Sequence, residues 1–342
     1  MRLLSRSRFR RRAFPSHRLA ALAVPLLILG AASPVFAVDK FAAEFLKIGV
    51  GARALGMGGA FVSIADDASA TYWNPAGIVQ LSSREAMGMH ASQFGGVVAH
   101  DVLGVVTPLR SGEHRADVGL TAIRQGVDDI RVTKDAVLPE TDENGNPILD
   151  ESRITKKSAY DLALLLTYGR SLGDRWAAGA NLKLIRQSLV GEGASFGIGA
   201  DLGLRYQASS SVAFGVRLAD ATTTQLYWDT GRRETVAPTV TLGVHTTRNI
   251  EALRGSVALA LDTNWAFEGQ EADQFETGSL SGSLRPGFEY RFRETVALRL
   301  GSDAGRFTAG AGVRYRQVGG DYAYLSHDEL DGTHRVSALV RF

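Results

Sequence analysis

Apolar and polar residues alternate over most of the chain, in stretches of about ten residues. In 194–207, Phe196 and Ile198 share one face, whereas Gly197 and Gly199 share the other. A period of two residues is typical of β-strands, because successive side chains point to opposite faces. No stretch after residue 82 keeps the period of an amphipathic helix, so the pattern predicts an all-β fold.

Fourteen stretches carry this alternation, and the gaps between them differ in length. Gaps after even-numbered stretches are short, whereas the three longest follow the third, seventh and ninth stretches, at 126–157, 221–237 and 266–280. Short turns at one end and long loops at the other are typical of outer-membrane barrels. The predicted strands are 83–91, 99–108, 116–125, 158–170, 176–188, 194–207, 212–220, 238–247, 255–265, 281–292, 295–303, 307–317, 320–326 and 333–342.

A secreted soluble β protein is the alternative, since its strands alternate as well. Three features favour a transmembrane antiparallel β-barrel of about 14 strands over 83–342. The stretches have the length of a tilted membrane crossing. Aromatic residues lie near strand ends, and the polar face combines glycine with Arg, Asp and Glu, as a lumen would.

Residues 1–37 predict a secretory signal peptide that is removed on export. Seven arginines and no acidic residue precede Leu19, and an apolar run follows to Ala32. Residues 35–37, Val-Phe-Ala, then fit a cleavage site. The run is too short to span a membrane as a helix. Together with the barrel pattern, the signal predicts a bacterial outer-membrane location.

Charge and cysteine content exclude several functions. The chain has 38 basic and 36 acidic residues, and removing the seven arginines of the signal leaves 31 basic against 36 acidic. This balance gives no reason to expect nucleic-acid binding. The chain has no cysteine, which excludes disulfides, thiolate metal sites and a cysteine nucleophile.

The stretch from Gly49 to Gly77 lacks the strand alternation and is dense in glycine. Such density predicts close backbone packing in place of a regular amphipathic helix. Asn74 before Pro75 should end any helix there, because the residue before proline is held out of the α region. We expect 38–82 to form a hatch, or plug, inside the barrel lumen.

Residues 51–61, GARALGMGGAF, and 65–77, ADDASATYWNPAG, resemble the amino-terminal signature of the PorV/PorQ family, within the FadL-type outer-membrane channels. The chain end, 334–342, is similar to the carboxy terminus of that family. The resemblance implies a fourteen-stranded barrel with a hatch in its lumen. The matching signature residues are Gly51, Arg53, Gly56, Gly58, Gly59, Asp66, Asp67, Trp73, Asn74, Pro75 and Ala76.

The resemblance implies two functions, between which the sequence does not decide. FadL-type members let hydrophobic small molecules diffuse past the hatch, whereas PorV-type members bind exported proteins in type IX secretion. Loop 221–237, with Tyr227 and Trp228, would suit the second function. The first needs a hydrophobic pocket, for which the candidates are Phe45, Met57, Phe61, Tyr72 and Trp73; each can equally well pack the plug against the wall.

Charged residues share the inner face predicted for the last five strands. We predict that they hold the hatch by ion pairs, because buried charges need partners. A wet polar lumen without specific pairing is the alternative. The predicted lumen charges are Arg285, Glu289, Arg299, Arg314, Arg316, Asp321 and Arg335, with Arg291 and Arg341 on the same face.

The sequence contains little that indicates catalysis or cofactor binding. Gly49-x-Gly51-x-x-Ala54 fits a relaxed dinucleotide-binding pattern, but no strand–helix–strand unit surrounds it. The scattered histidines form no H-E-x-x-H motif, and no G-x-S-x-G elbow is present. We therefore predict no catalytic residues, no cofactor and no metal site. The acidic 126–157 loop is better explained as a solvated external loop than as a calcium site.

The predicted partners follow from the barrel. Outer-membrane lipid and lipopolysaccharide would surround its wall. The barrel-assembly machinery would read the carboxy-terminal aromatic, Phe342, which ends the last strand. A hydrophobic small molecule or an exported protein would be the functional partner, and no nucleic acid is expected.

Overall fold

The structure is a computed structural model that describes residues 42–109, 115–191, 193–267, 274–327 and 332–342. The predicted signal peptide, 1–37, lies outside these residues. Within them, no helix combines the length and the apolar character that a membrane span requires.

Strands make up most of the described chain, and fourteen of them form one closed antiparallel barrel. In chain order the strands are β1 (Glu85–Gln93), β2 (Val98–Leu109), β3 (Ala116–Val132), β4 (Val137–Thr141), β5 (Pro147–Leu149), β6 (Thr155–Leu172), β7 (Trp176–Leu189), β8 (Gly193–Gln207), β9 (Val212–Ala219), β10 (Thr224–Trp228), β11 (Arg233–Val236), β12 (Thr239–Ile250), β13 (Gly255–Ala266), β14 (Phe275–Thr277), β15 (Leu280–Phe292), β16 (Val296–Asp303), β17 (Arg306–Tyr315), β18 (Val318–Leu325) and β19 (Thr333–Arg341).

The barrel closes where its first strand meets its last. β1 pairs with β2 on one side and with β19 on the other, in a register that sets Glu85 opposite Arg341 and His90 opposite Val336. The other barrel strands pair with their chain neighbours. Because every strand then has two partners, the wall has no open edge, which a barrel in a membrane requires. The predicted fourteen-stranded antiparallel fold is confirmed.

The short strands lie in the long connections, which the sequence pattern left without structure. β4 and β5 form a separate hairpin between β3 and β6. β10 pairs with β8 and β11, and β14 pairs with β15. β3 and β6 are also longer than predicted, because their ladder continues past an irregularity between Val127 and Ile130. We call the end with these connections the long-loop end and the opposite end the short-turn end.

The two faces of the wall differ as the alternation predicts. Outward residues are apolar and exposed; for example, Leu103 is 70% exposed and Phe196 is 47% exposed. Inward residues include glycines and buried charges such as Asp201 and Glu289. An apolar outer wall around a polar interior is the pattern of a membrane barrel.

Residues 42–84, the amino-terminal segment, precede the first strand, and most of them pack against the inner face of the wall. The segment contains two short helices, α1 (Ala52–Gly56) and α2 (Ala70–Trp73), and 3-10 turns at Glu44–Ile48 and Pro75–Gln80. α2 ends before Asn74, which is extended with φ −161° and ψ 105°, as the Asn-Pro sequence predicts. The segment supplies much of the buried apolar cluster in the lumen.

Candidate functional site

The amino-terminal segment contacts the wall through glycines that face the lumen. A Cβ added at Gly179 would lie 2.3 Å from the carbonyl carbon of Pro75, and one at Gly203 would lie 2.2 Å from Asn74 Oδ1. On the other side, a Cβ at Gly301 would lie 2.3 Å from the Met57 carbonyl carbon. Each contact leaves no room for a side chain on the strand. At these positions the segment can approach the wall this closely because the strand residue is glycine.

Asn74 ties the segment to itself and to β8. Its side-chain amide donates to the carbonyl oxygens of Val62 at 2.8 Å and Leu204 at 3.1 Å. Its Oδ1 accepts from the Ala76 amide at 3.1 Å. The Trp73 indole donates to the Val50 carbonyl at 2.7 Å. These bonds satisfy buried polar groups in a stretch without regular backbone pairing.

Arg53 is the centre of an ion network between the segment and the opposite wall. Arg53 is 7% exposed, and its guanidinium donates to both carboxylate oxygens of Glu289 in β15, at 3.1 and 3.2 Å. It also pairs with Asp67 at 3.1 Å and with Asp66. Burial alone would lower the pKa of Arg53, but the carboxylates of Asp66, Glu289 and Asp67 raise it well above its ordinary value.

The network continues along the inner faces of β15 to β18. Glu289 accepts from Arg299 Nε at 2.7 Å and from Arg291 at 2.6 Å. Arg299 in turn donates to Asp321 at 2.9 Å, and Arg314 donates to the same carboxylate at 2.7 Å. The structure thus brings together Arg53, Glu289, Arg299, Asp321 and Arg314. The pairing is specific and extends from the segment to the fourth strand of this group.

Three other arginines predicted for the lumen lie away from this network. Arg285 pairs with Asp303 at 2.9 Å, near the long-loop end. Arg335 is buried, and its Nε has no hydrogen-bond partner among the described residues. Arg316 does not face the lumen: β17 ends at Tyr315, so Arg316 lies in the following turn with φ 53°, exposed, with its guanidinium 5.3 Å from the Tyr315 ring centroid.

A cavity of about 520 Å³ lies between the segment and the wall at the long-loop end. The strand residues that line it include Ala219, Ala266 and Asp303, which end β9, β13 and β16. From the segment, apolar surface comes from Leu46, Tyr72, Trp73 and Val62. The cavity is of the size that small-molecule sites have.

The residues predicted to form a hydrophobic pocket separate into two groups. Tyr72 and Trp73 line the cavity, with their rings in an edge-to-face contact at 5.0 Å. Phe45, Met57 and Phe61 are buried at 3%, 0% and 0% exposure within the apolar cluster. The structure therefore places all five in the buried cluster, and only Tyr72 and Trp73 among them also line the cavity.

The opposite side of the cavity is polar, and Lys183, Asp201 and Arg217 there are not among the predicted lumen charges. Lys183 Nζ donates to Asp201 at 2.9 Å and to Asp220 at 2.6 Å. Arg217 stacks on Tyr72 at 4.7 Å from the ring centroid and reaches Asp201 only at 3.9 Å. Arg217 Nε is buried without a hydrogen-bond partner among the described residues. Arg217 therefore has capacity for a further acceptor.

Two alternatives to a ligand cavity find no support in the described residues. They contain no group of three or more His, Asp or Glu placed to hold a metal ion. The glycine pattern from Gly49 to Ala54 opens a helix of only five residues, and every described strand pairing is antiparallel. A dinucleotide site requires a parallel βαβ unit.

Comparisons with known proteins show the fold. No protein-family model matches the chain, and no curated protein matches it in sequence. Among solved structures, the P. putida toluene transporter TodX matches with a TM-score of 0.56 and 14% identity, over 86% of this chain and 99% of that one. The monoaromatic hydrocarbon channel CymD matches with 0.53 and 14%, over 86% and 98%. A Pseudomonas aeruginosa FadL homologue matches with 0.52 and 12%, over 86% and 98%. The chain has the barrel fold of the FadL-type channels.

Proposed function

We propose that this protein is a bacterial outer-membrane barrel that binds hydrophobic small molecules and lets them pass. The observation that carries the proposal is the cavity of about 520 Å³ between the amino-terminal segment and the wall. The proposal is supported by proteins of the same fold whose names identify them as a toluene transporter and a hydrocarbon channel. In this arrangement the long loops face the exterior and the short turns face the periplasm.

The two sides of the cavity suit a molecule with an apolar body. Leu46, Tyr72 and Trp73 would contact that body, and its burial supplies most of the binding free energy. Arg217 would orient a ligand that carries a hydrogen-bond acceptor, since its Nε lacks a partner among the described residues. Apolar surface with a few placed polar groups is the usual composition of such sites.

We propose that the amino-terminal segment acts as the hatch, within the predicted boundaries 38–82, and that 83–342 is the transmembrane barrel. The glycine contacts and the Arg53 network hold the segment across the lumen, so passage requires either a shift of the segment or an opening in the wall. The signal peptide at 1–37 and recognition of Phe342 by the assembly machinery belong to the same proposal. Phe342 is 59% exposed, and its backbone amide donates to the Arg84 carbonyl at 3.0 Å.

Membership of the PorV/PorQ family, and with it a role in protein secretion, rests on the sequence motifs. The loop considered for that role forms the β10–β11 hairpin, in which Trp228 is 9% exposed and Tyr227 is 45% exposed beneath Arg233. A buried tryptophan is a poor anchor for a partner protein. We therefore favour binding of hydrophobic molecules over a role in protein secretion.

The test fills the cavity without touching the anchors of the segment. Ala266→Phe adds a ring at a buried lining position, and Ala311→Phe adds the same ring on the exposed outer face of β17. Binding of a radiolabelled long-chain fatty acid and of radiolabelled toluene is measured on the detergent-solubilised barrels. We expect Ala266→Phe to weaken binding at least about tenfold, equivalent to about 1.4 kcal/mol, and Ala311→Phe to bind as the wild type does. Equal binding by all three proteins would contradict the proposal.

A further inference from the structure

The short-turn end of the barrel carries a surplus of exposed arginines. Among the described residues there, eight arginines are exposed, against three exposed acids, Asp174, Glu251 and Glu294. The connection 133–154 at the long-loop end has the opposite balance, with six acidic and two basic residues. The short-turn end is therefore basic, whereas this connection at the long-loop end is acidic.

Most of these arginines have no side-chain partner among the described residues. Within the part of the chain that the structure describes, Arg341 pairs with Glu85, but five others make no side-chain hydrogen bond or ion pair. The five are Arg84, Arg170, Arg175, Arg248 and Arg254. Arg53, Arg299 and Arg314 in the lumen are held by ion pairs, whereas no such pair among the described residues accounts for the five.

Several of these arginines lie beside aromatic residues near the ends of the strands, and this position along the barrel axis indicates what they contact. Arg293 lies 5.1 Å from the centroid of the Phe292 ring, and Arg316 lies 5.3 Å from that of Tyr315, which is 67% exposed on the outer wall. Arg175 adjoins Trp176, which stacks on Tyr206 at 4.5 Å. Aromatic rings with basic residues beside them mark the level where acyl chains give way to headgroups.

We propose that the arginines of the short-turn end form a binding surface for anionic phospholipid headgroups. A guanidinium matches a phosphate oxygen pair in shape and charge, and the apolar wall beside it receives the acyl chains. The inference requires the barrel to lie in a bilayer but does not depend on which molecule enters the cavity. Anionic lipid in the leaflet at this end would fix the depth and tilt of the barrel.

The test compares two variants with the same charge change. Arg170→Gln, Arg175→Gln and Arg248→Gln are combined in one protein. The control combines Arg131→Gln, Lys134→Gln and Lys157→Gln, three exposed cations at the long-loop end. Heat-modifiable migration on gels checks that each barrel is folded. Native mass spectrometry then counts bound lipids after incubation with equimolar phosphatidylglycerol and phosphatidylcholine.

We expect the wild type and the control to retain phosphatidylglycerol in preference to phosphatidylcholine. In the arginine variant, the ratio of bound phosphatidylglycerol to bound phosphatidylcholine should fall by about tenfold or more. Each basic residue near an anionic membrane surface raises the affinity for that surface roughly fivefold. High salt should weaken the preference as well. The proposal is overturned if the wild type binds the two lipids equally or if the control variant loses as much as the arginine variant. It is also overturned if the arginine variant keeps the lipid preference of the wild type.

Discussion

The amino-terminal segment is fixed to two parts of the wall in two different ways. Around α1, Arg53 reaches Glu289 in β15 through a network of buried charges. Around Pro75, the segment touches β7 and β8 through backbone contacts that lumen glycines allow. The first attachment depends on charge and on the geometry of the hydrogen bonds. The second depends on strand glycines, which have no side chain to keep the segment away. The charged contacts can determine which strands the segment binds. The glycine contacts determine how closely the segment backbone approaches the wall.

The charged attachment should be the more sensitive of the two. Arg53→Met removes the cation but leaves Glu289, Asp67 and Asp66 with unbalanced charge in the lumen. Breaking a buried pair in this way costs about 3–5 kcal/mol. We expect the segment to become sensitive to limited proteolysis while the barrel stays folded. Adding Glu289→Gln to the same protein should restore part of the protection, and a double variant as exposed as the single one would argue against charge as the cause.

The packed attachment should be weakened by a single methyl group. Gly179→Ala places a Cβ where the Pro75 carbonyl lies, and overpacking of this kind costs about 1–3 kcal/mol. Gly320→Ala is the matched control, because nothing lies within 4 Å of its Cβ position. Thermal unfolding and proteolysis of the segment should both shift for Gly179→Ala and stay unchanged for Gly320→Ala. Equal behaviour of the two variants would mean that the segment does not rest on the wall at Pro75.

The edge of the charged network should matter least. Arg314→Ala removes a partly exposed donor to Asp321, a loss of about 0–1 kcal/mol. Arg316→Ala removes an exposed turn residue whose ring contact is with Tyr315. We expect a small increase in proteolysis of the segment for the first and none for the second. If Arg316→Ala released the segment as much as Arg314→Ala, the network would not end where the structure places it.

The wall was predictable because its chemistry repeats. Each crossing alternates between lipid and lumen, so the sequence reveals the strand count, the faces and the end that carries the long loops. Arg316 shows where the repeat misleads, since the polar–apolar alternation continues one residue past the end of β17. The hairpins β4–β5 and β10–β11 were missed because they lie in polar connections without a sustained period of two.

The residues that line the cavity could not be predicted as well as the strands of the wall. The amino-terminal segment has no long helix or strand, so no period tells which of its apolar residues face the wall and which face a cavity. Tyr72, Met57 and Phe61 all belong to the buried cluster, but of the three only Tyr72 lines the cavity. Lys183 and Arg217 line the same cavity as Tyr72 although they lie far from it in the sequence. Their inward position on β7 and β9 was the one available signal, and many lumen residues share it.

The central proposal is that a hydrophobic molecule occupies the cavity beside Tyr72 and Trp73. It can be tested by mass spectrometry of small molecules and proteins that remain with the barrel after mild extraction from its native membrane. We expect one hydrophobic molecule per barrel in the wild type and in Ala311→Phe, and its loss from Ala266→Phe. A stoichiometric protein partner, with no hydrophobic molecule retained by any of the three proteins, would contradict the proposal and favour the secretion role.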